Sequence, residues 1–128
     1  LSAPYVIAGL NFFAAESDER AEKLFTSLQI QFANLFRGAP GKLQCPVDNI
    51  YDCVSASEMA ALDRALKYSV VGSYETVLGK TKEFLDLTSA DELILTAQIF
   101  EHKARLESFE IGARVCTELV EEYSKEAA

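Results

Sequence analysis

The single histidine of the sequence, His102, closes the stretch Gln98-Ile99-Phe100-Glu101-His102, where an amide, an aromatic ring and an imidazole directly follow an apolar run. Imidazole titrates near neutrality, so His102 could act as a general base or bind an anion. The competing reading is a helix-start histidine bonded to the backbone or to Glu101. A second place is Gly72-Ser73, between a short β-prone run and a helix start. Glycine allows close backbone approach, serine adds a hydroxyl, and the helix start offers free N–H groups to a phosphate. A plain turn with an N-cap weighs equally, since neither G-x-G-x-x-G nor a Walker sequence is present. The third place is Asn11, a polar residue inside the apolar run Tyr5 to Ala15. Its amide offers a donor and an acceptor to a ligand, or to a neighbouring backbone group. No metal constellation is visible: one histidine and scattered carboxylates define no site.

The elements that would position these residues alternate. Tyr5 to Ala15 is almost wholly apolar, as a strand covered on both faces should be. Ser17 caps a helix whose apolar positions Ala21, Leu24, Phe25, Leu28, Phe32 and Leu35 recur at helical spacing until Gly38 and Pro40-Gly41 stop it. Residues 39–54 have no period and form a long loop, which in a compact domain is functional or disordered. Ser55 and Glu58 are spaced as a capping box for a short helix to about Leu66. A strand near 68–72 and a helix capped by Ser73 follow, the latter resting on Val77, Thr81, Phe84 and Leu85. A strand near 92–97 and a last helix from about Glu101 to Glu122 complete the chain. The expected buried stripe of that helix is Leu106, Phe109, Ala113, Cys116 or Thr117, and Val120. Strands near 5–14, 68–72 and 92–97, each followed by helix, predict a single α/β domain over residues 1–128 with a parallel sheet. The aromatics Phe25, Phe32, Phe36, Phe84 and Phe109 are expected in the core. In such sheets ligands bind at the carboxyl ends of the strands, which is where all three candidate places fall.

Composition narrows the classes. Of 128 residues, 49% are hydrophobic and 25% charged, the balance of a globular domain. No apolar run approaches the roughly 20 residues of a spanning helix, and the opening residues have neither the basic nor the apolar region of a secretory signal. The chain begins with Leu1 rather than Met, which suggests an internal segment or a processed product. A net charge of −8, from 20 acidic and 12 basic residues without a basic stripe, argues against nucleic acid. Cys45, Cys53 and Cys116 are odd in number and widely spaced, which disfavours a disulfide framework or zinc site and suggests a reducing, cytoplasmic setting.

Taken together, several segments carry a resemblance. Residues 69–77, SVVGSYETV, resemble the SVVGSPETV stretch of the bacterial luciferase-like flavin-dependent monooxygenases. Residues 90–96 and 98–106, ADELILT and QIFEHKARL, resemble that family's ADELIVTSQIFDHAARL ending; Asp18-Glu19-Arg20-Ala21 and Phe36-Arg37-Gly38-Ala39-Pro40-Gly41 also match in order and spacing. Two departures stand out: Tyr74 in place of proline, and Thr88-Ser89 in place of a Thr-Gly turn. The resemblance implies the C-terminal part of a (β/α)8 barrel that uses reduced FMN and oxygen on an organic substrate such as an aldehyde. It implies Gly72, Ser73, Gln98 and His102 as cofactor-facing positions and Asn11 at the substrate mouth, with the catalytic residues themselves unassigned. A complete barrel has eight strands and typically about 250 residues, so three strands should be inactive alone. Open edges should draw in the missing N-terminal barrel portion or a second copy as a homo-oligomer. The alternative is a truncated, non-enzymatic binding or oligomerisation module that kept the fold and lost the flavin site.

Overall fold

The structure, a computed structural model, describes residues 2–127. Its elements are β1 (Ile7–Ala14), α1 (Asp18–Phe36), a 3-10 turn (Ile50–Asp52), α2 (Ala56–Ala65), β2 (Ser69–Gly72), α3 (Tyr74–Thr88), β3 (Glu92–Thr96) and α4 (His102–Ala127). The strands and helices predicted from sequence are present, β1 starting two residues later than expected and α4 running further.

All three strands are parallel, in the order β2-β1-β3. Pairing is divided along β1. Its carboxyl half, Asn11 to Ala14, pairs with β2, and its amino half, Ile7 to Asn11, pairs with β3. Successive barrel staves would place β2 in the middle with every helix on one face. Here β1 is central, and alternate side chains are buried under different helices. Leu10, Phe12, Ala14 and Val70 pack with Val77 of α3 and with Val115 and Leu119 of α4. Phe13 packs with Leu24 and Leu28 of α1 and Met59 and Leu62 of α2, its ring edge-on to Phe25 at 5.1 Å. The chain moves one way from β1 to β2 and back the other way to β3, so crossovers of the usual hand place their helices on opposite faces.

Local chemistry explains the boundaries. Ser17 accepts the Arg20 N–H at 3.2 Å to start α1, and the capping box forms in both directions between Ser55 and Glu58. Gly38, at φ +73, ends α1 in the left-handed region. Ser89 adopts the same region at φ 51 to end α3, which gives the Thr-Ser departure a physical meaning: a serine stands where glycine would be unstrained. The loop at 39–54 is ordered by a clasp. Arg37 donates both to Glu58, at 2.6 and 2.9 Å, and to the Cys53 carbonyl at 2.8 Å, while Thr26 Oγ1 accepts from Val47 N at 2.9 Å. Arg37 above all holds the Glu58 carboxyl down at a pKa of about 2.

The expected stripe of α4 is corrected. Leu106, Phe109 and Val120 are 48%, 43% and 66% exposed, whereas Ala104, Ser108, Gly112, Val115 and Leu119 are buried. Helical spacing fits both stripes; close approach to the sheet selects the smaller residues. A Cβ on Gly112 would stand 3.3 Å from both Leu95 Cδ1 and Phe12 Cε1. Leu35 and Phe36, at the end of α1, are likewise exposed rather than core.

Candidate functional site

Parallel strands send their carboxyl ends to one edge of the sheet, and α1, α3 and α4 begin there. Their starts are tied together. Asp18, in the first turn of α1, accepts the Ser73 N–H at 2.7 Å, and Arg20 forms an ion pair with Glu101 at 3.3 Å, just before α4. The Ser73 amide first, then the Thr76 and Ser73 hydroxyls, hold the Asp18 carboxyl below the usual carboxylate range; burial opposes them, and Lys80 adds a weaker pull. Gly72 is buried at φ +155, and a Cβ there would meet Thr76 and Asp18 at 2.5–2.8 Å. Glycine is therefore required by close approach, as expected, but what approaches is Asp18. Ser73 stands at the N-cap position without a side-chain capping bond; its amide donates to the carboxylate of another helix, and its hydroxyl lies 3.4 Å from Thr76 Oγ1. The Tyr74 departure is also accommodated: Arg114 of α4 lies over its ring at 4.3 Å.

Asn11 is held on both sides. Its Nδ2 donates to Ser69 Oγ at 3.2 Å, and its Oδ1 accepts from Thr96 Oγ1 at 3.2 Å. The three residues form one polar row across all three strands, in register with one another. Asn11, Thr96 and Gly9 line a shallow pocket of about 300 Å³ closed on one side by Leu66 and Tyr68. Asn11 thus satisfies the bland reading and still borders a space.

Gln98 and His102 are exposed, while Ile99 between them is fully buried against the Phe13 cluster. His102 is bonded neither to Glu101 nor to the backbone: its Nδ1 is 2.7 Å from Arg105 Nη2. Arg105 Nη1 in turn donates to the Ile99 carbonyl at 3.0 Å. The structure thus brings Gly72 and Ser73 together with Asp18, places Asn11 on the sheet face, and sets Gln98 and His102 at the start of α4. Sequence reasoning missed Asp18 as the anion at α3, because its partner is 55 residues away. A larger cavity, about 740 Å³, lies at the opposite end of the sheet, between α3, β3 and α4, near Leu85, Leu93, Leu119 and Tyr123. Tyr123 donates to Asp86 there at 2.7 Å, a bond that pushes its hydroxyl up to about 12.

A parallel α/β sheet with polar groups gathered at the strand exits defines a broad class of ligand-binding folds. No family model matches the chain. Curated relatives do. The chain is 41% identical over 120 residues to a protein of Escherichia coli (strain K12) named luciferase-like monooxygenase, covering 94% of this chain and 36% of that protein. It is 37% identical over 115 residues to the uncharacterized protein YvbT of Bacillus subtilis (strain 168), covering 90% of this chain and 34% of that protein. Its fold is similar to that of apo-MsnO8 in a crystal structure, with a TM-score of 0.68 at 21% identity over 90% of this chain and 35% of the other. The resemblance drawn from the sequence is borne out: over nearly its whole length the chain is similar to proteins that include a luciferase-like monooxygenase, and it spans about a third of the length of these relatives. Among the described residues no helix is long and apolar enough to cross a membrane.

Proposed function

We propose that this chain is the C-terminal portion of a flavin-dependent luciferase-like monooxygenase, which as a whole (β/α)8 barrel uses reduced FMN and oxygen on an organic substrate such as an aldehyde. The observation that carries the reading is 41% identity across 94% of the chain to a protein so named. The sheet supports it. β1 and β3 are parallel neighbours with α3 and α4 packed on one face, and on the other face Ile7 and Ile94 are each 52% exposed. Two adjacent staves, cut from a barrel, have that form: helices outside, a bare inner wall inside. α1, α2 and β2 then make an excursion that covers the carboxyl end of that wall at Phe13, the end where barrel enzymes do their chemistry.

Reduced FMN, when bound, supplies the oxygen chemistry, and the protein positions reactants and excludes water. Of the matched positions, Gln98 and His102 present exposed polar groups at the strand exits and suit contact with the flavin. Asn11 suits the substrate side, with Ser69 and Thr96 fixing its amide. Gly72 and Ser73 do not fit a flavin phosphate, because Asp18 already holds the amide and fills the space beside the glycine.

Three strands leave two edges and the wall at Ile7 and Ile94 uncovered. The chain is therefore inactive alone, and pairs with the N-terminal barrel portion or, lacking it, with a second copy. A reducing cytoplasmic setting agrees with its three free cysteines. The occupied amide at Ser73 favours a second reading, a binding or oligomerisation module that no longer holds flavin. Titration with FMN, followed by flavin fluorescence, separates the two: micromolar binding supports the first and its absence the second. Light scattering tests the edges; a folded monomer at all concentrations would refute the association.

A further inference from the structure

We propose that Arg105 is a positioning residue that commits His102 to the neutral imidazole with its proton on Nε2, making the ring a hydrogen-bond donor, not a base, toward a ligand at the strand exits. Arg105 Nη2 and His102 Nδ1 are 2.7 Å apart. A guanidinium has five donors, no acceptor, and does not deprotonate in proteins. Nδ1 must therefore offer its lone pair, and the ring proton is on Nε2. An imidazolium would set N–H against N–H in this arrangement.

The contact is held from both sides. Arg105 Nη1 donates to the carbonyl of Ile99, a residue with 0% exposure, so the guanidinium is anchored to a buried loop. The two residues are three apart in the first turn of α4, on one helix face. The carboxylate adjacent in sequence, Glu101, is engaged by Arg20 at 3.3 Å. Among the described residues Nε2 has no hydrogen-bond partner, and His102 is exposed, so its N–H is free to meet an oxygen acceptor. The state of the ring stands apart from the monooxygenase reading; only the identity of the acceptor rests on it.

Because the chain has one histidine, ring-15N labelling gives an unambiguous signal. Long-range proton–nitrogen spectra near neutral to mildly alkaline pH should show one pyrrole-like nitrogen, Nε2, and one pyridine-like nitrogen, Nδ1. Arg105→Met should convert this to the averaged signals of two exchanging tautomers, and Arg105→Lys, which can still donate, should restore part of the bias. Glu101→Gln should leave the pattern unchanged. An averaged or Nδ1-protonated ring in the unaltered protein overturns the inference even if the Arg105 variants fail to fold. So does a folded Arg105→Met protein with the pattern intact. FMN binding is read separately, so its failure would touch the functional proposal and not this one.

Discussion

Gly72→Ala tests the junction of α1 and α3 most directly. The new Cβ would lie 2.5 Å from Thr76 Cγ2, 2.6 Å from Thr76 Cβ and 2.8 Å from Asp18 Oδ1. The Asp18 oxygen can swing away only by releasing the Ser73 amide at 2.7 Å. Thr76 Cβ is fixed to the first turn of α3 and cannot yield without moving the helix. The backbone at φ +155 adds strain for any side chain. Overpacking of this kind costs about 1–3 kcal/mol and an unfavourable backbone region about 1–3 kcal/mol, together on the order of 2–6 kcal/mol. For a domain of this size that corresponds to a fall in Tm on the order of 10–20 °C. Thermal unfolding followed by circular dichroism measures it. Gly79→Ala, in the same helix with nothing within 4 Å of an added Cβ, is the control and should stabilise by about 0.5–1 kcal/mol. A Gly72→Ala protein melting within about 2 °C of the parent would refute the close approach of Asp18 and Thr76.

Further outcomes follow from other contacts. Ser89→Gly should stabilise by about 0.5–1 kcal/mol in chemical denaturation, because relief of the left-handed strain at φ 51 outweighs the added freedom of the unfolded chain. Glu58 has its carboxyl lowered from 4.5 to about 2, chiefly by Arg37, so its contribution is full above pH 4.5 and is lost as pH falls toward 2. Glu58→Gln should flatten that part of the acid-unfolding curve and leave the neutral region's slope unchanged. Phe109→Glu, at a 43% exposed position, should change stability by less than about 0.5 kcal/mol in chemical denaturation.

Much of the fold was legible. Apolar runs marked β1 and β3, and Ser17, Ser55 with Glu58, and Gly38 marked helix ends through chemistry confined to one turn. Strand order was not legible, because it depends on which partner β1 accepts and both partners are distant in sequence. The buried face of α4 was misassigned for a related reason. Hydrophobic spacing singles out Leu106, Phe109 and Val120, but Ala104, Ser108 and Gly112 turn inward, and at Gly112 an added Cβ would stand 3.3 Å from Phe12 and Leu95. Ser108 earns its burial by accepting the Ala14 N–H at 3.0 Å. At the candidate site the residue types of Gly72, His102 and Asn11 drew attention correctly as polar or permissive positions at strand ends. Their partners, Asp18, Arg105, Ser69 and Thr96, could be named only once the elements were placed.

The central position of β1 has a consequence for how the chain is made. Asn11 waits for Ser69, 58 residues later, on one side and for Thr96, 85 residues later, on the other. At a synthesis rate of about 5–20 residues per second, the apolar segment emerges roughly 4–17 s before its second neighbour exists. During that interval the ribosome holds out a sticky, hydrogen-bond-hungry β-segment, and yield in the cell will depend on what shields it until the far end of the polypeptide arrives.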